Sequence, residues 1–258
     1  MGLDKLLGLP LNASTHGAEI DNMIGLLHWL MLLLFVGWGV FFIYTLFRFR
    51  SSKNPNANYQ GVKSHVSTYT EAGIVVIEAV LLLGFAIPIW ADVMTDHPES
   101  GAEGVVEVRV VAQQFAWNIH YPGADGVFGK TDVNLLDEEI NPLGLDREDP
   151  AAADDITTIN TLNVPVDTKV LVQLSSKDVI HSFRLTEMRV MQDAIPGLVI
   201  PVSFEATQTG NWEIACAQLC GLGHYRMRGF FNVQSQADFQ AWLDQKASEL
   251  GDPGEEEW

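Results

Sequence analysis

Cys216-Ala-Gln-Leu-Cys220-Gly-Leu-Gly-His224-Tyr-Arg-Met227 contains both cysteines of the 258-residue chain, a histidine four residues after the second, and a methionine three further on. Two thiolates, an imidazole and a thioether in so short a stretch are soft donors of the kind copper and zinc prefer. A second imidazole, His181, stands upstream in Asp178-Val-Ile-His-Ser-Phe183. The thioether separates the two metals. Structural zinc sites are built from Cys and His, whereas thiolate, imidazole and thioether together form a copper donor set. The cysteine spacing alone also fits a disulfide, a zinc half-site or a redox pair. A disulfide would leave His224 and Met227 unexplained, and a mononuclear blue-copper site would leave one thiol surplus.

Around this stretch the sequence reads as β-structure. Val106, Val108 and Val110 alternate with Glu107 and Arg109, the period of a half-buried strand. Val170, Val172 and Leu174 repeat the pattern, as do Val202, Phe204 and Ala206, then Trp212 and Ile214 leading into Cys216, and finally Phe230-Phe-Asn-Val233. Short strands separated by Gly and Pro predict a small sandwich or barrel. Between the first strands and His181, residues 121–158 carry Pro-Gly, Asp-Gly, Asn-Pro and Asp-Pro pairs, which mark turns. This acidic loop insertion reads either as a solvated excursion or as a docking face for a basic partner. Ser235 is a plausible cap for a short C-terminal helix, with Phe239, Trp242, Leu243 and Leu250 as its apolar stripe. An acidic tail follows at 251–258.

The first third of the chain has a different character. Met23 to Phe47 contains no Asp, Glu, Lys or Arg, and about 20 apolar residues suffice for a membrane-spanning helix. A second apolar run, 72–93, predicts a return span. Arg48, Arg50, Lys53 and Lys63 lie between the two with no acidic residue, so this loop is read as cytoplasmic and both ends of the chain as outside. Residues 1–22 lack the basic leader of a secretory signal; Asn12-Ala-Ser14 reads as a turn or cap. Glu71 opens the second span and Glu78, two turns deeper, shares its face. Intramembrane carboxyl groups are costly and turned away from lipid.

Charge divides the chain in the same place. Residues 92–258 hold 28 acidic and 10 basic side chains, the whole of the net charge of −18. Such an acidic surface excludes nucleic acid as a partner and suits a basic one.

The upstream histidine followed by Cys-x3-Cys-Gly-x2-His-x2-Met resembles subunit II of the haem–copper respiratory oxidases, the subunit carrying the dinuclear copper A centre. The agreement in segment order extends over nearly the whole chain. The resemblance implies a two-helix transmembrane hairpin (residues 1–95), a cupredoxin-like Greek-key barrel (96–234), and a short C-terminal helix with its tail (235–258). It implies that Cys216 and Cys220 bridge two copper ions. His181 and Met227 would complete one, and His224 with the backbone carbonyl of Gln218 the other. It further implies a multi-pass inner-membrane protein with its copper domain on the outer side. Its partners would be oxidase subunit I and other oxidase subunits, with a cytochrome c or a c-type haem subunit as donor. Electrons would pass to haem in subunit I, where oxygen reduction is coupled to proton pumping.

Several residues take their expected roles from the same resemblance. Gln113-Gln-Phe-Ala-Trp117 is similar to the family's Gln-Trp-x-Trp electron-entry segment, with Phe115 in place of the first Trp; entry then falls to Phe115, Trp117 or Tyr121. Glu71 corresponds to a glutamate that helps admit protons to the catalytic subunit. Gln218 stands where the family has a glutamate that also reaches a magnesium ion at the subunit I interface, and a neutral amide is a poorer ligand for that hard cation. Leu198 stands where an arginine near the haem propionates is common. No Cys-x2-Cys-His occurs, so no c-type haem is expected on this chain. From another class, the alternative is a membrane-anchored copper-delivery or copper-storage protein. Those proteins place Cys-x3-Cys early in a thioredoxin-like fold and the histidine after it, the reverse of the order here. Quinol-oxidising relatives lose the copper ligands, and nitrous-oxide reductases carry the motif without the membrane hairpin.

Overall fold

The computed structural model describes residues 3–56, 59–61 and 63–250; the acidic tail read at 251–258 lies outside them. Contacts divide the chain into two compact units, one of residues 1–9 and 19–92, the other of residues 10–18 and 93–258.

In the first unit, a short helix α1 (Leu3–Leu7) precedes α2 (Gly17–Arg48). After the loop, α3 (Val66–Leu81) continues through a π-turn at Leu82–Ala86 into α4 (Ile87–Thr95). The two apolar helices thus span 32 and 30 residues, longer than the apolar runs 23–47 and 72–93. At 1.5 Å per residue each is about 45 Å long, well beyond the ~30 Å hydrocarbon core of a bilayer. The extra turns carry polar side chains, among them Glu19, Asp21, Ser67 and Thr70. The π-turn has a local cause. Pro88 lacks an N–H and its ring crowds the carbonyl four residues back. The ladder widens just before it, with Ile87 N–H donating to Leu82 O. Side chains such as Leu33, Phe35, Leu83 and Trp90 are exposed along these helices.

The second unit is two five-stranded sheets enclosing one core. The first sheet has the order β3-β2-β1-β5-β8 and the second β4-β10-β9-β6-β7. These strands are β1 (Val105–Gln113), β2 (Ala116–Tyr121), β3 (Ile156–Ile159), β4 (Thr161–Pro165) and β5 (Lys169–Ser176). They continue with β6 (His181–Leu185), β7 (Val190–Ala194), β8 (Ile200–Glu205), β9 (Gly210–Cys216) and β10 (Arg228–Gln234). Pairing is antiparallel except β1 with β5 and β4 with β10. The core takes alternate residues from facing sheets: Val108, Val110 and Ala112 from β1, Val170, Val172 and Leu174 from β5, and Phe183, Ile214 and Phe231 opposite them. The architecture is the expected one, two apolar helices followed by a cupredoxin-like β-domain and a C-terminal helix.

That last helix, α5 (Gln236–Leu250), is capped as the sequence predicts, with Ser235 Oγ accepting from Asp238 N–H at 3.1 Å. Phe239 is buried and stacks on Trp242, which meets the edge of Tyr121. Leu250 is exposed and lies outside that stripe.

Residues 10–18 pack into the β-domain. Ala13 N–H donates to Glu187 O, Thr15 N–H to Glu205 O, and Thr207 N–H to Ala13 O. Ala13 and Ser14 are buried there, and Asn12 Oδ1 accepts from Ser14 N–H as an Asx-type turn. Arg189 donates to Pro10 O and Leu11 O.

The insertion carries local structure of its own. It contains short helical turns at Val133–Leu135 and Pro150–Ala152, and Asn141 holds its centre by bonds to the backbone of Leu135 and Leu145.

Candidate metal centre

Three strand ends bring the soft donors to one pole. His181 is the first residue of β6, Cys216 the last of β9, and Met227 directly precedes β10. Because β9 pairs with both β6 and β10, the 217–227 connection must fold back over the start of β6. Two backbone bonds pin it there: Ala217 N–H to Ser182 O at 2.9 Å and Cys216 N–H to Met227 O at 3.3 Å. A 3-10 turn at His224–Arg226 then turns His224 inward.

The cysteines are free thiols with Sγ atoms 3.7 Å apart, well beyond a disulfide bond length. On one side, His181 Nδ1 lies 3.1 Å from Met227 Sδ and 3.9 Å from Cys216 Sγ. On the other, His224 Nδ1 lies 3.7 Å from Cys220 Sγ. Gln218 O is 3.2 Å from Cys216 Sγ, and Met227 Sδ is 3.6 Å from Cys220 Sγ. His181, Cys220 and Met227 are buried, whereas Cys216 and His224 are half-buried. Six donors exceed the four that a tetrahedral zinc site uses. A two-sulfur centre with one imidazole toward each side, supplemented by a thioether and a carbonyl, fits copper.

Electrostatics set the donors' protonation. His181 Nε2–H donates to Asp178 Oδ1 at 2.9 Å, which leaves Nδ1 as a bare lone pair facing the sulfurs. Burial alone would raise the Asp178 pKa. Hydrogen bonds from His181, Gln114 N–H and Val179 N–H outweigh it and hold the carboxyl below its ordinary value. Burial, then the neighbouring Cys216 thiol, push the Cys220 thiol up to about 11, so metal uptake must displace a firmly held proton.

Two glycines let a neighbouring segment approach. A Cβ at Gly223 would stand 2.4 Å from the Phe115 ring, and one at Gly221 (φ +129°) would stand 2.7 Å from Gln114 Nε2. Gln114 Nε2–H in turn donates to Cys220 O at 2.7 Å. Phe115 is half-buried beneath the loop, with the Arg226 guanidinium over its ring. Trp117 is fully buried, edge-on to His181 at 6.2 Å. Tyr121 is buried at the far end of β2 and donates to Asn163 O. Of the three aromatic residues read for electron entry, only Phe115 has appreciable exposed surface. Glu71 and Glu78 lie on α3, both exposed in the isolated chain. Leu198 is exposed in the turn after β7. The sequence reading assigned no role to Asp178 or Gln114; an acid three residues before a ligand histidine was the available signal for the first.

Comparison with known proteins finds relatives over most of the chain. Residues 106–233 match the family described as cytochrome c oxidase subunit II, periplasmic domain. The chain is 32% identical over 239 residues to the alternative cytochrome c oxidase subunit 2 of Bradyrhizobium diazoefficiens, covering 92% of this chain and 84% of that one. It is 26% identical over 251 residues to cytochrome c oxidase subunit 2 of Cereibacter sphaeroides, covering 92% and 79%. The solved periplasmic domain of subunit II of cytochrome oxidase from Bradyrhizobium japonicum covers 59% of this chain and 98% of its own, at 28% identity and a TM-score of 0.42. With a relative 32% identical over 92% of the chain and the thiol pair, imidazoles and thioether gathered at one pole, the chain belongs to the cytochrome c oxidase subunit II family.

Proposed function

We propose that this chain is the electron-accepting subunit of a proton-pumping terminal oxidase, taking electrons from a cytochrome c and passing them to haem in subunit I. The observation that carries this reading is the pair of unbonded thiols 3.7 Å apart with an imidazole toward each side. A pair of copper ions bound there would supply a one-electron carrier whose coordination positions are all filled by protein. Cys216 and Cys220 would hold the centre, with His181 and Met227 as donors on one side and His224 with the Gln218 carbonyl on the other. His181, Cys220 and Met227 are buried, and donors held this way would need little rearrangement when charge changes. Phe115 gives electrons their approach, with Trp117 packed behind it against His181. The two apolar helices anchor the chain in the inner membrane, with the β-domain on the outer side.

The deciding experiment is electron paramagnetic resonance of the full chain loaded with copper. A seven-line pattern at two coppers per chain is the expected result. A four-line mononuclear spectrum would overturn it, and labile, substoichiometric copper would instead mark a copper-delivery protein.

For Glu71 we propose a part in proton uptake, from its position at the start of the second span and the rarity of carboxyl groups there. Steady-state turnover and haem reduction kinetics unchanged in Glu71→Ala would remove that role.

A further inference from the structure

The insertion forms a roof over the outer face of the first sheet. The side chains of Arg109 and Val111 on β1, His120 on β2, and Gln173 and Ser175 on β5 alternate with the core residues and face away from the core. Phe128 lies under the Arg109 guanidinium at 4.0 Å and edge-on to His120 at 5.1 Å. Lys177 Nζ holds the roof at Pro142 O, 2.7 Å away. At its root, Asp155 Oδ2 accepts from His120 Nε2–H at 2.6 Å and Gly129 N–H at 2.8 Å, while Arg147 donates to Ala152 O and Asp155 O.

Roof and sheet line a half-open cavity of about 460 Å³, within the range of small-molecule sites. Arg109, Gln173 and Lys177 line one part of it, and Leu136, Leu143 and Val199 another, with Asp132 the one carboxylate in the lining. Neither cation makes a salt bridge within 4.0 Å among the described residues, although Asp155 and Glu107 act on Arg109 from further away. Lys177 Nζ bonds two neutral oxygens, Gln113 Oε1 and Pro142 O. Arg109 bonds Gln173 Oε1 through Nε at 3.3 Å, leaving both terminal nitrogens of its fork without a hydrogen bond. The His120 ring joins the lining, buried and with Nδ1 unpartnered. Burial lowers its pKa despite Asp155, so it adds an acceptor and no charge.

We infer that this cavity binds a small organic carboxylate, its head on the Arg109 fork and Lys177 ammonium and its hydrocarbon body against Leu136 and Leu143. A guanidinium fork matches a carboxylate bidentately, and the apolar wall distinguishes such a ligand from a bare inorganic anion.

The test uses the full chain in lipid nanodiscs, with calorimetric titration of benzoate, benzyl alcohol and inorganic phosphate. Benzoate should bind one to one, and the other two at least about tenfold more weakly, the loss expected when a charge-assisted pair or an apolar contact is missing. Arg109→Gln and Lys177→Gln should each weaken benzoate by about tenfold. Leu143→Trp, which fills the cavity and removes no charge, should abolish it. Thermal midpoints without ligand identify any variant that fails to fold, and the other two then decide. Equal binding of benzyl alcohol or phosphate, no benzoate binding, or unchanged affinity in the folded variants would each overturn the inference.

Discussion

Asp178 Oδ1 accepts the Nε2 proton of His181 at 2.9 Å, and the same carboxylate accepts the backbone N–H groups of Gln114 and Val179. The bond selects the tautomer of a buried imidazole whose other nitrogen faces three sulfurs. It also joins the start of β6 to the Gln114–Phe115 segment packed beneath the ligand loop.

Asp178→Asn keeps an acceptor for the tautomer but removes the charge that raises ligand basicity. Copper affinity should fall about ten- to a hundredfold, the usual effect of losing such a partner, while the β-domain stays folded. Competition with a copper chelator and far-ultraviolet circular dichroism measure the two. Wild-type affinity in the variant would show the bond to be structural only.

Gly223→Ala puts a methyl group into the Phe115 ring, although φ at this position is ordinary. We expect a loss of about 1–3 kcal/mol from overpacking and a shifted copper absorption spectrum as the loop moves. Pairing it with Phe115→Leu should restore most of the stability. A double variant no more stable than the single one would place the crowding elsewhere.

Burial lowers the His120 pKa below the ordinary imidazole value, so the unfolded chain binds a proton more readily than the folded one. This contribution to stability is full above pH ~6.5 and is lost as pH falls below it, at no more than about 1.4 kcal/mol per pH unit. Thermal midpoints of the metal-free chain between pH 5 and 7.5 should therefore fall less steeply on acidification in His120→Gln than in wild type. Parallel curves would refute this.

Arg189 holds the Pro10 and Leu11 carbonyls while Ser14 Oγ donates to Met188 O at 3.0 Å. Removing those charge-assisted bonds with Arg189→Gln should cost about 1.5–3 kcal/mol. Hydrogen exchange at the Ala13 and Thr15 amides should accelerate before that of β1. If those amides keep their protection, the segment does not depend on Arg189.

Gln218 is exposed beside Cys216 and presents a neutral amide. In the assembled oxidase, Gln218→Glu should raise manganese or magnesium retention at least about tenfold, since hard cations favour carboxylate over amide. Tight, stoichiometric magnesium in the wild-type complex would contradict that expectation.

The strands visible in the sequence were those with one wet face. β1 alternates because its outer residues remain half-exposed. β2 shows no such rhythm, since its Asn118 and His120 are covered as completely as Trp117 and Ile119. β4 and β6 are likewise buried on nearly every residue, and period-two patterning vanishes when both faces are dry. The helices ran past the apolar runs read in the sequence because their ends extend beyond the apolar segment, where polar residues are tolerated.

By itself the sequence determined the donor set, its order along the chain, the two apolar spans and the separation of charge between the two parts, because these depend on residue type and local spacing. Tertiary structure alone decided that Asp178 orients His181, that residues 10–18 pack into the β-domain, and that the acidic insertion roofs a cavity lined by Arg109 and Lys177. The last two join residues dozens to nearly two hundred positions apart, and the first depends on the side-chain geometry at the start of β6; strand pairing and burial, which leave no local periodic mark, bring them together.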